Sequence, residues 1–208
     1  MKRKYLLIDI CGTLYKENTT FSFLDYFYKN RLTNVRKLIF IKVINKISMV
    51  LFGFDLIKYF SLKSLKGVPK DELYKKAKVF VRENLNKNIA IFDFIESKLS
   101  HGYELKLVSA TIDPIAEAIS IELGIPYISS QLEYKNDICS GKLMKDILLS
   151  KREIVMNEIN DYDVLEIITD NKTDISLCHL CTNFYSVSYS RESTIFWYKN
   201  GAKNVYEF

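Results

Sequence analysis

Residues 4–14 read Lys4-Tyr5-Leu6-Leu7-Ile8-Asp9-Ile10-Cys11-Gly12-Thr13-Leu14. An apolar run of strand length ends at the carboxylate of Asp9, and a Gly12-Thr13 turn follows almost directly. Folds that combine helices with a parallel sheet place their chemistry at the carboxyl ends of the strands. The stretch therefore predicts a buried first strand that presents Asp9 at the functional edge of an α/β sheet.

The rest of the chain continues this pattern in two parts. From about Thr20 to Leu99 apolar residues recur at helical spacing, which predicts an all-helical insert of roughly 70 to 80 residues. Thr19 or Thr20 is the expected N-cap of its first helix, and the aromatic residues that follow either line a pocket or pack in the insert: Phe21, Tyr26 and Tyr28. Two later helices are expected to turn one apolar face inward, the first with Leu73, Ala77, Phe80 and Val81 and the second with Ile91, Phe94, Ile95 and Leu99. After the insert, strands alternate with helices, and this order predicts a mostly parallel sheet with helices on both faces. The expected later strands are 103–108, 126–134 with a hairpin to 141–143, 164–168, and a last one near 185–189.

Composition and charge place the chain among globular proteins. Hydrophobic residues make up 48% and charged residues 26% of its 208 residues, enough for a sizeable core. Lys and Arg exceed Asp and Glu by 30 to 25, and the sequence pI is near 8.8. This mild excess favours anionic ligands or surfaces, whereas the scatter of the lysines among acids argues against nucleic acid as a partner.

The first residues and the cysteines indicate a reducing compartment. Met1-Lys2-Arg3-Lys4 runs straight into the first strand with no small-residue cleavage site, so we expect no secretory signal peptide. The sequence thus favours the cytoplasm, and the four cysteines are expected to be free thiols. Cys178-His179-Leu180-Cys181 resembles half of a zinc site, but no partner pair accompanies it, and packing in the core is the preferred interpretation.

One apolar segment leaves two interpretations open. Val35–Phe60 is dense in aliphatic and aromatic residues, yet Lys37, Lys42 and Lys46 are among the charges that interrupt it. No charge-free run reaches the roughly 18 residues of a transmembrane helix. The segment predicts either a packed helical hairpin broken near Gly53 or a face that rests on the inner surface of a membrane.

Four short motifs resemble those of the haloacid dehalogenase (HAD) superfamily, in the same order along the chain. Asp9-Ile10-Cys11-Gly12-Thr13-Leu14 resembles the first motif, Asp-x-Asp-Gly-Thr-Leu, and Val108-Ser109-Ala110-Thr111 resembles the second. Lys151 is the best candidate for the cation of the third motif, with Lys142 and Lys145 as weaker ones. The segment Asp170-Asn171-Lys172-Thr173-Asp174 resembles the fourth motif, which carries two acids.

The resemblance implies a mechanism of phosphoryl transfer and a set of site residues. It makes Asp9 the nucleophile that forms an aspartyl phosphate, Ser109 a donor to a phosphoryl oxygen and Lys151 a compensating cation. A phosphate dianion approaches a carboxylate only where cations lower the repulsion, and an all-oxygen site suits Mg²⁺. The implied catalytic residues are Asp9, Cys11, Ser109 and Lys151. The implied phosphate contacts are Gly12, Thr13, Ser109, Ala110 and Lys151, and Thr13 is also expected to fix the turn after the nucleophile. The implied Mg²⁺ ligands are Asp9, the carbonyl of Cys11, Asp170 and Asp174, the last either on the ion or directly behind its ligands.

The position of the insert points to one subgroup of the family. A helical cap between the first two motifs resembles the phosphoserine-phosphatase-like subfamily IB, and the apolar cap looks like its phosphatidylglycerophosphate phosphatase-type branch. This implies a Rossmann-like core of residues 1–16 and 100–208 with a helical cap of residues 17–99. The implied partner is a phosphorylated small molecule or a lipid headgroup, with peripheral membrane contact through the cap as a further hypothesis.

Cys11 departs from the family pattern and leaves three hypotheses. Family phosphatases carry a second Asp there, which protonates the leaving oxygen and later activates water. A thiol is a poor substitute for that acid, and general acid–base catalysis is worth about 10² to 10⁴-fold in rate. The chain is therefore expected to be a Mg²⁺-dependent phosphatase or phosphotransferase with altered acid chemistry; the alternatives are a catalytically impaired sensor that binds a phosphorylated ligand and, least favoured, a cysteine-nucleophile phosphatase.

Overall fold

One sheet of seven strands organises the chain. The computed structural model describes residues 3–29, 39–159, 162–202 and 204–208. The strands are β1 (Lys4–Ile8), β2 (Glu104–Ile112), β3 (Tyr127–Lys135), β4 (Ile138–Lys145), β5 (Val164–Thr169), β6 (Asn183–Ser188) and β7 (Asn204–Glu207). Their order across the sheet is β4-β3-β2-β1-β5-β6-β7, and only the β3–β4 pair is antiparallel. The predicted mostly parallel α/β fold is confirmed.

The helices cover both faces of this sheet. They are α1 (Thr19–Phe27), α2 (Ile39–Phe52), α3 (Leu56–Leu62), α4 (Lys70–Asn84), α5 (Ile89–Ser100), α6 (Asp113–Leu123), α7 (Lys151–Glu158) and α8 (Arg191–Lys199), with 3₁₀ turns at Lys63–Leu65 and Lys172–Leu180. Leu6 and Ile8 of β1 point into one buried cluster, and Leu7 between them points into another. Because side chains alternate along a strand, the central strand is buried on both sides, as parallel sheets require.

The described elements between β1 and β2 are all helical, as the insert predicts. The α4 helix begins after Pro69 with Asp71 and Glu72 in its first turn, where acids complement the helix dipole. Its predicted inward residues, Leu73, Ala77, Phe80 and Val81, are all buried. They share one continuous apolar cluster with residues of the sheet and of α6, and α4 packs on α6. The division into a core of 1–16 and 100–208 and a cap of 17–99 stays a prediction.

Several local predictions are wrong. Asn18, rather than Thr19 or Thr20, caps α1, because its side-chain oxygen accepts the Phe21 amide while both threonine hydroxyls turn inward. Leu99, expected on the buried face of α5, is 58% exposed. The strand after the insert does not end before Ser109 but continues to Ile112. The strand near 185–189 is not the last, because α8 and β7 follow it.

The apolar segment is interrupted where the sequence indicates. Positions 35–38 of Val35–Phe60, including Lys37, lie outside the described residues, and α2 covers much of the remainder. Gly53 has a φ of +62° and ends α2, because glycine alone adopts this conformation without strain. Within the described parts of the chain, no helix is long and apolar enough to cross a membrane.

Candidate active site

Asp9 lies at the carboxyl end of the central strand, as expected. It is 3% exposed, and its amide donates to the Ile168 carbonyl of the neighbouring β5 over 3.0 Å. The Asp9 carbonyl in turn accepts the Leu14 amide at 3.3 Å, and the Gly12 amide donates to the backbone carbonyl of Glu17 at 3.2 Å. These bonds close the loop after β1 into a tight turn, so the backbone fixes where the carboxylate points.

Gly12 and Thr13 hold Asp170 beside that turn. Gly12 has a φ of +68°, and a Cβ there would lie 2.1 Å from Oδ2 of Asp170, so the position accepts only glycine. The Thr13 hydroxyl accepts the Asp170 amide at 2.8 Å and donates to its Oδ1 at 3.4 Å. Thr13 is fully buried and its hydroxyl is hydrogen-bonded to Asp170, so it positions that residue; the phosphate contact that the resemblance implies stays a prediction.

Lys151 begins α7 and sits between two carboxylates. Its Nζ donates to Oδ1 of Asp9 at 3.1 Å and to Oδ2 of Asp174 at 2.7 Å, and all three side chains are buried. Burial lowers the pKa of Lys151, but the charges of Asp174 and Asp9 outweigh it and leave that pKa above its ordinary value. Lys142 and Lys145 are exposed on β4, so Lys151 is the cation next to the candidate nucleophile.

Asp174 is directed at Lys151 and away from the cavity. Its Oδ2 accepts from Lys151 and also from the Thr169 hydroxyl at 2.8 Å, and the side chain is 1% exposed. Burial raises the pKa of this carboxyl, which Lys151 partly offsets. Asp174 thus orients Lys151, and its implied place in or behind the ligand set of the metal stays a prediction.

Cys11 belongs to a small network of hydroxyl groups. Its Sγ lies 3.0 Å from Oγ1 of Thr19, which is 2.8 Å from Oγ1 of Thr111, and Thr20 also reaches Thr111 at 3.1 Å. Burial raises the pKa of the Cys11 thiol, and the nearby charge of Asp9 adds to this effect. The thiol therefore stays protonated at neutral pH.

A cavity of about 630 Å³ opens at this edge of the sheet. Six of the predicted residues line it: Asp9, Cys11, Gly12, Ser109, Ala110 and Asp170. Ser109 places its Oγ 4.0 Å from the sulfur of Cys11. Thr13, Lys151 and Asp174 lie behind this lining and support Asp9 and Asp170. The four motifs therefore converge on one cavity.

A model of the haloacid dehalogenase-like hydrolase family matches residues 6–179 of the sequence. The chain belongs to this family. The resemblance that its motifs carry is therefore confirmed. No curated protein matches the sequence.

Solved structures share the fold at low sequence identity. A Bordetella pertussis Tohama I protein of unknown function is 16% identical, with 99% of this chain and 98% of that one covered and a TM-score of 0.76. A phosphoserine phosphohydrolase-like protein from Francisella tularensis subsp. tularensis SCHU S4 is 19% identical over 98% and 94% of the two chains, with a TM-score of 0.67. A phosphoserine phosphatase with a phospho-aspartyl intermediate analogue is 19% identical over 99% and 93%, with a TM-score of 0.66.

The haloacid dehalogenase motifs do not account for Lys58, which sequence reasoning missed. It lies on α3, is 7% exposed and lines the cavity. Its Nζ donates to Oδ1 of Asp146 at 2.9 Å and to the Ala110 carbonyl at 3.1 Å, so it ties the helical insert to the sheet. In the sequence it is one of many lysines in an apolar segment, and no local signal distinguishes it. Other missed lining residues are Lys16, Lys172, Tyr189 and Ser193, whereas Phe21, an aromatic residue that the sequence offers as a pocket candidate, does line the cavity.

The carboxylates of Asp9 and Asp170 fit the cation that the haloacid dehalogenase family implies. Burial, followed by the charge of Asp9, raises the pKa of Asp170 to about 8. The site therefore has too little positive charge nearby to offset two carboxylates, and a bound cation would supply it. The bare Cα of Gly12 leaves room for the close approach of Asp170. Among the described residues no three His, Cys, Asp or Glu side chains form a metal site. A hard divalent ion such as Mg²⁺ accepts two carboxylates completed by a carbonyl and waters.

The raised pKa of Asp170 predicts how stability responds to pH in chelator-treated protein. The folded protein keeps a proton on Asp170 that the unfolded chain releases above its ordinary pKa of 3.8. This contribution to the free energy of unfolding is complete below about pH 4 and lost as pH rises towards about 8. Urea unfolding over this range should therefore show a loss with pH that Asp170→Asn removes.

The same urea titrations are repeated with added Mg²⁺. The ion should raise the urea midpoint most at the alkaline end, where the Asp170 carboxylate would otherwise be charged and buried beside Asp9. The Asp170→Asn protein should respond much less to Mg²⁺. An identical pH profile for the two proteins would contradict the assignment of Asp170.

Proposed function

We propose that the chain is a Mg²⁺-dependent phosphatase or phosphotransferase that uses Asp9 as its nucleophile. The observation that carries the proposal is the convergence of Asp9, Asp170 and Lys151 at the cavity, with Nζ of Lys151 at 3.1 Å from Asp9. Membership of the hydrolase family supports it. The substrate class is a phosphorylated small molecule or a phospholipid headgroup.

In the first step each of the site residues has a separate role. An oxygen of Asp9 attacks phosphorus, a bond forms between them, and the bond from phosphorus to the leaving oxygen breaks. Lys151 offsets the negative charge that this brings to Asp9, and Ser109 donates a hydrogen bond to a phosphoryl oxygen. Mg²⁺, held by Asp9, Asp170 and the carbonyl of Cys11, would supply electrostatic stabilisation of the transferring group. Water, or another acceptor hydroxyl, then takes the phosphoryl group from Asp9.

The first motif offers no carboxylic acid to protonate the leaving oxygen, so the proton comes from a group of the substrate itself or of the helical insert. Cys11 occupies the place of that carboxylate, and its protonated thiol is a weak acid. Leaving groups that need little protonation are therefore the best substrates. The lysines at the cavity, Lys16, Lys58 and Lys172, favour substrates that carry more than one negative charge.

A panel of phosphate esters tests the proposal. The purified chain is incubated with phosphometabolites, short-chain phospholipids and an aryl phosphate, each with Mg²⁺ or with a chelator. We expect Mg²⁺-dependent phosphate release, strongest for the esters with the most acidic leaving groups. Equal release in Mg²⁺ and chelator, or release from none of the esters, would contradict it.

A sensor that binds a phosphorylated ligand is the second candidate function. The observation that favours it is Cys11, because its thiol is tied to Thr19 and cannot act as the base that activates water. A persistent aspartyl phosphate on Asp9 would then be the functional state. Tight binding of a phosphate analogue without turnover across the panel would support this candidate over the enzyme.

A further inference from the structure

The α2 helix turns the polar side chains of Asn45 and Ser48 to the protein and exposes several of its apolar side chains to solvent. Oδ1 of Asn45 accepts the Ile57 amide at 2.9 Å, and the hydroxyl of Ser48, which is 6% exposed, donates to the Phe54 carbonyl at 2.8 Å. Both bonds attach α2 to the turn and helix that follow it. In a surface helix of a globular protein the apolar stripe normally faces the core. The orientation of α2 is the reverse.

The opposite side of the helix is a continuous apolar stripe. Its members follow the spacing i, i+1, i+4, i+7 and i+8, and we call them the outer face of α2: Val43, Ile44, Ile47, Val50 and Leu51. Each is at least 52% exposed, and Val50 reaches 77%. Exposed apolar patches of this kind mark interaction surfaces.

Aromatic side chains extend the outer face beyond Gly53. Phe52 is 78% exposed, Phe54 43% and Phe60 60%. The rings of Phe54 and Phe60 each lie 5.3 Å from the ring of Tyr59, so they form one group at the end of α2. Phenylalanine, like Trp and Leu, is typical of the apolar face of helices that lie in the membrane interface.

The stretch of sequence that contains the outer face is basic, and two of its lysines, Lys46 and Lys63, lie beside the exposed apolar side chains. Residues 39–70 contain six lysines and a single acid, Asp55, which caps α3 by accepting the Lys58 amide at 2.9 Å. Lys46 is exposed beside the stripe on α2, and Nζ of Lys63 lies over the rings of Tyr59 and Phe60 at 4.7 and 5.1 Å. Lysines on the edge of an apolar stripe reach outward to anionic headgroups while their stems stay in apolar surroundings.

We propose that the outer face of α2 docks on the surface of an anionic lipid bilayer. An apolar stripe with a basic border is the pattern of helices that lie in the membrane interface. The same positive border opposes a second copy of this chain, because two such faces would bring like charges together. The docking is peripheral, in keeping with the absence of a spanning helix among the described residues.

The docking face lies next to the active-site cavity. A second cavity of about 350 Å³, lined in part by Phe54, Leu62 and Leu149, shares Asp55, Lys58 and Leu148 with the active-site cavity. A bilayer on the outer face would therefore lie beside the entrance to the site. The docking itself does not depend on the proposed function, so the two fail independently.

Sedimentation with vesicles tests the proposal by a matched pair of substitutions. Ile47 is 52% exposed on the outer face, and Ile195 is 44% exposed on α8, which packs on β6 and β7 at the far edge of the sheet. We expect the full chain to sediment with phosphatidylcholine vesicles that contain phosphatidylglycerol. Ile47→Ser together with Val50→Ser should lower the partition coefficient about tenfold or more, and Ile195→Ser should leave it unchanged.

Lysine substitutions test the electrostatic contribution to binding with the same vesicles. Lys46→Gln should weaken binding about threefold to fivefold at low salt, while Lys199→Gln on α8 should not. The urea unfolding midpoint should be equal in all these variants, which shows that they fold without reference to the proposed activity. Equal sedimentation of the Ile47→Ser/Val50→Ser and Ile195→Ser proteins would overturn the proposal. So would binding to phosphatidylcholine alone with the same strength, or a concentration-dependent dimer that Ile47→Ser dissociates.

Discussion

Cys11→Asp should raise phosphate release from alkyl phosphates by about 10² to 10⁴-fold, the usual contribution of general acid–base catalysis. The substitution puts a carboxyl group where the thiol now faces the cavity. Thr19 Oγ1, which lies 3.0 Å from the sulfur, is placed to donate to the new carboxylate and hold its orientation. Initial rates with Mg²⁺, compared between the two proteins, give the measurement.

The gain should depend on the leaving group. An alkoxide needs a proton as its bond to phosphorus breaks, whereas a nitrophenolate leaves almost without one. We therefore expect the gain for an aryl phosphate to be much smaller than for an alkyl phosphate when aspartyl phosphate formation limits the rate. The new charge also has a cost, because a further carboxylate joins Asp9 and Asp170, and the chelator-treated variant should be less stable than the original chain.

Cys11→Asn is the matched control, since it has the shape of the Asp side chain without its acid chemistry. It should show no gain on either class of ester. If Cys11→Asp also shows none while Mg²⁺ still stabilises the protein, the acid is not what limits turnover. The sensor would then become the better account of the site.

The residues that lie at the carboxyl ends of parallel strands could be predicted from the sequence. Parallel strands end at one edge, so Asp9, Ser109 and Asp170 could be placed together from the apolar runs that precede them. Lys151 could be preferred because it was expected at the start of a helix, whereas Lys142 and Lys145 were expected in or beside a hairpin. The structure places all four residues at or directly behind the cavity.

Contacts between distant segments could not be predicted in this way. The requirement for Gly12 comes from Asp170, 158 residues later, and periodicity carries no distance between them. Thr19 and Thr111 likewise meet across 92 residues. For α2 the sequence predicts an apolar stripe but not whether that stripe faces the protein or the solvent. Asn45 and Ser48 turn inward because backbone groups of Ile57 and Phe54 are available there as hydrogen-bond partners.

Asp9→Asn should lower phosphate release by about 10⁴-fold or more, because losing the nucleophile removes the covalent step as a whole. The amide is a poor nucleophile and a weak ligand for a divalent cation. The fold should survive, since the Lys151 pair with Asp174 at 2.7 Å remains and a buried negative charge is removed beside Asp170. Phosphate release and urea unfolding, measured on the same preparation, separate loss of chemistry from loss of structure.

Asp93→Asn is the control for this substitution, because Asp93 is an exposed carboxylate on α5 away from the cavity lining. It should turn over at the original rate. An Asp9→Asn protein that is folded and retains more than about a tenth of the activity would rule out Asp9 as the nucleophile. Cys11→Ser would then be the decisive variant: loss of the remaining activity would assign the nucleophile to the thiol, and its persistence would assign the reaction to a water molecule activated at Asp170.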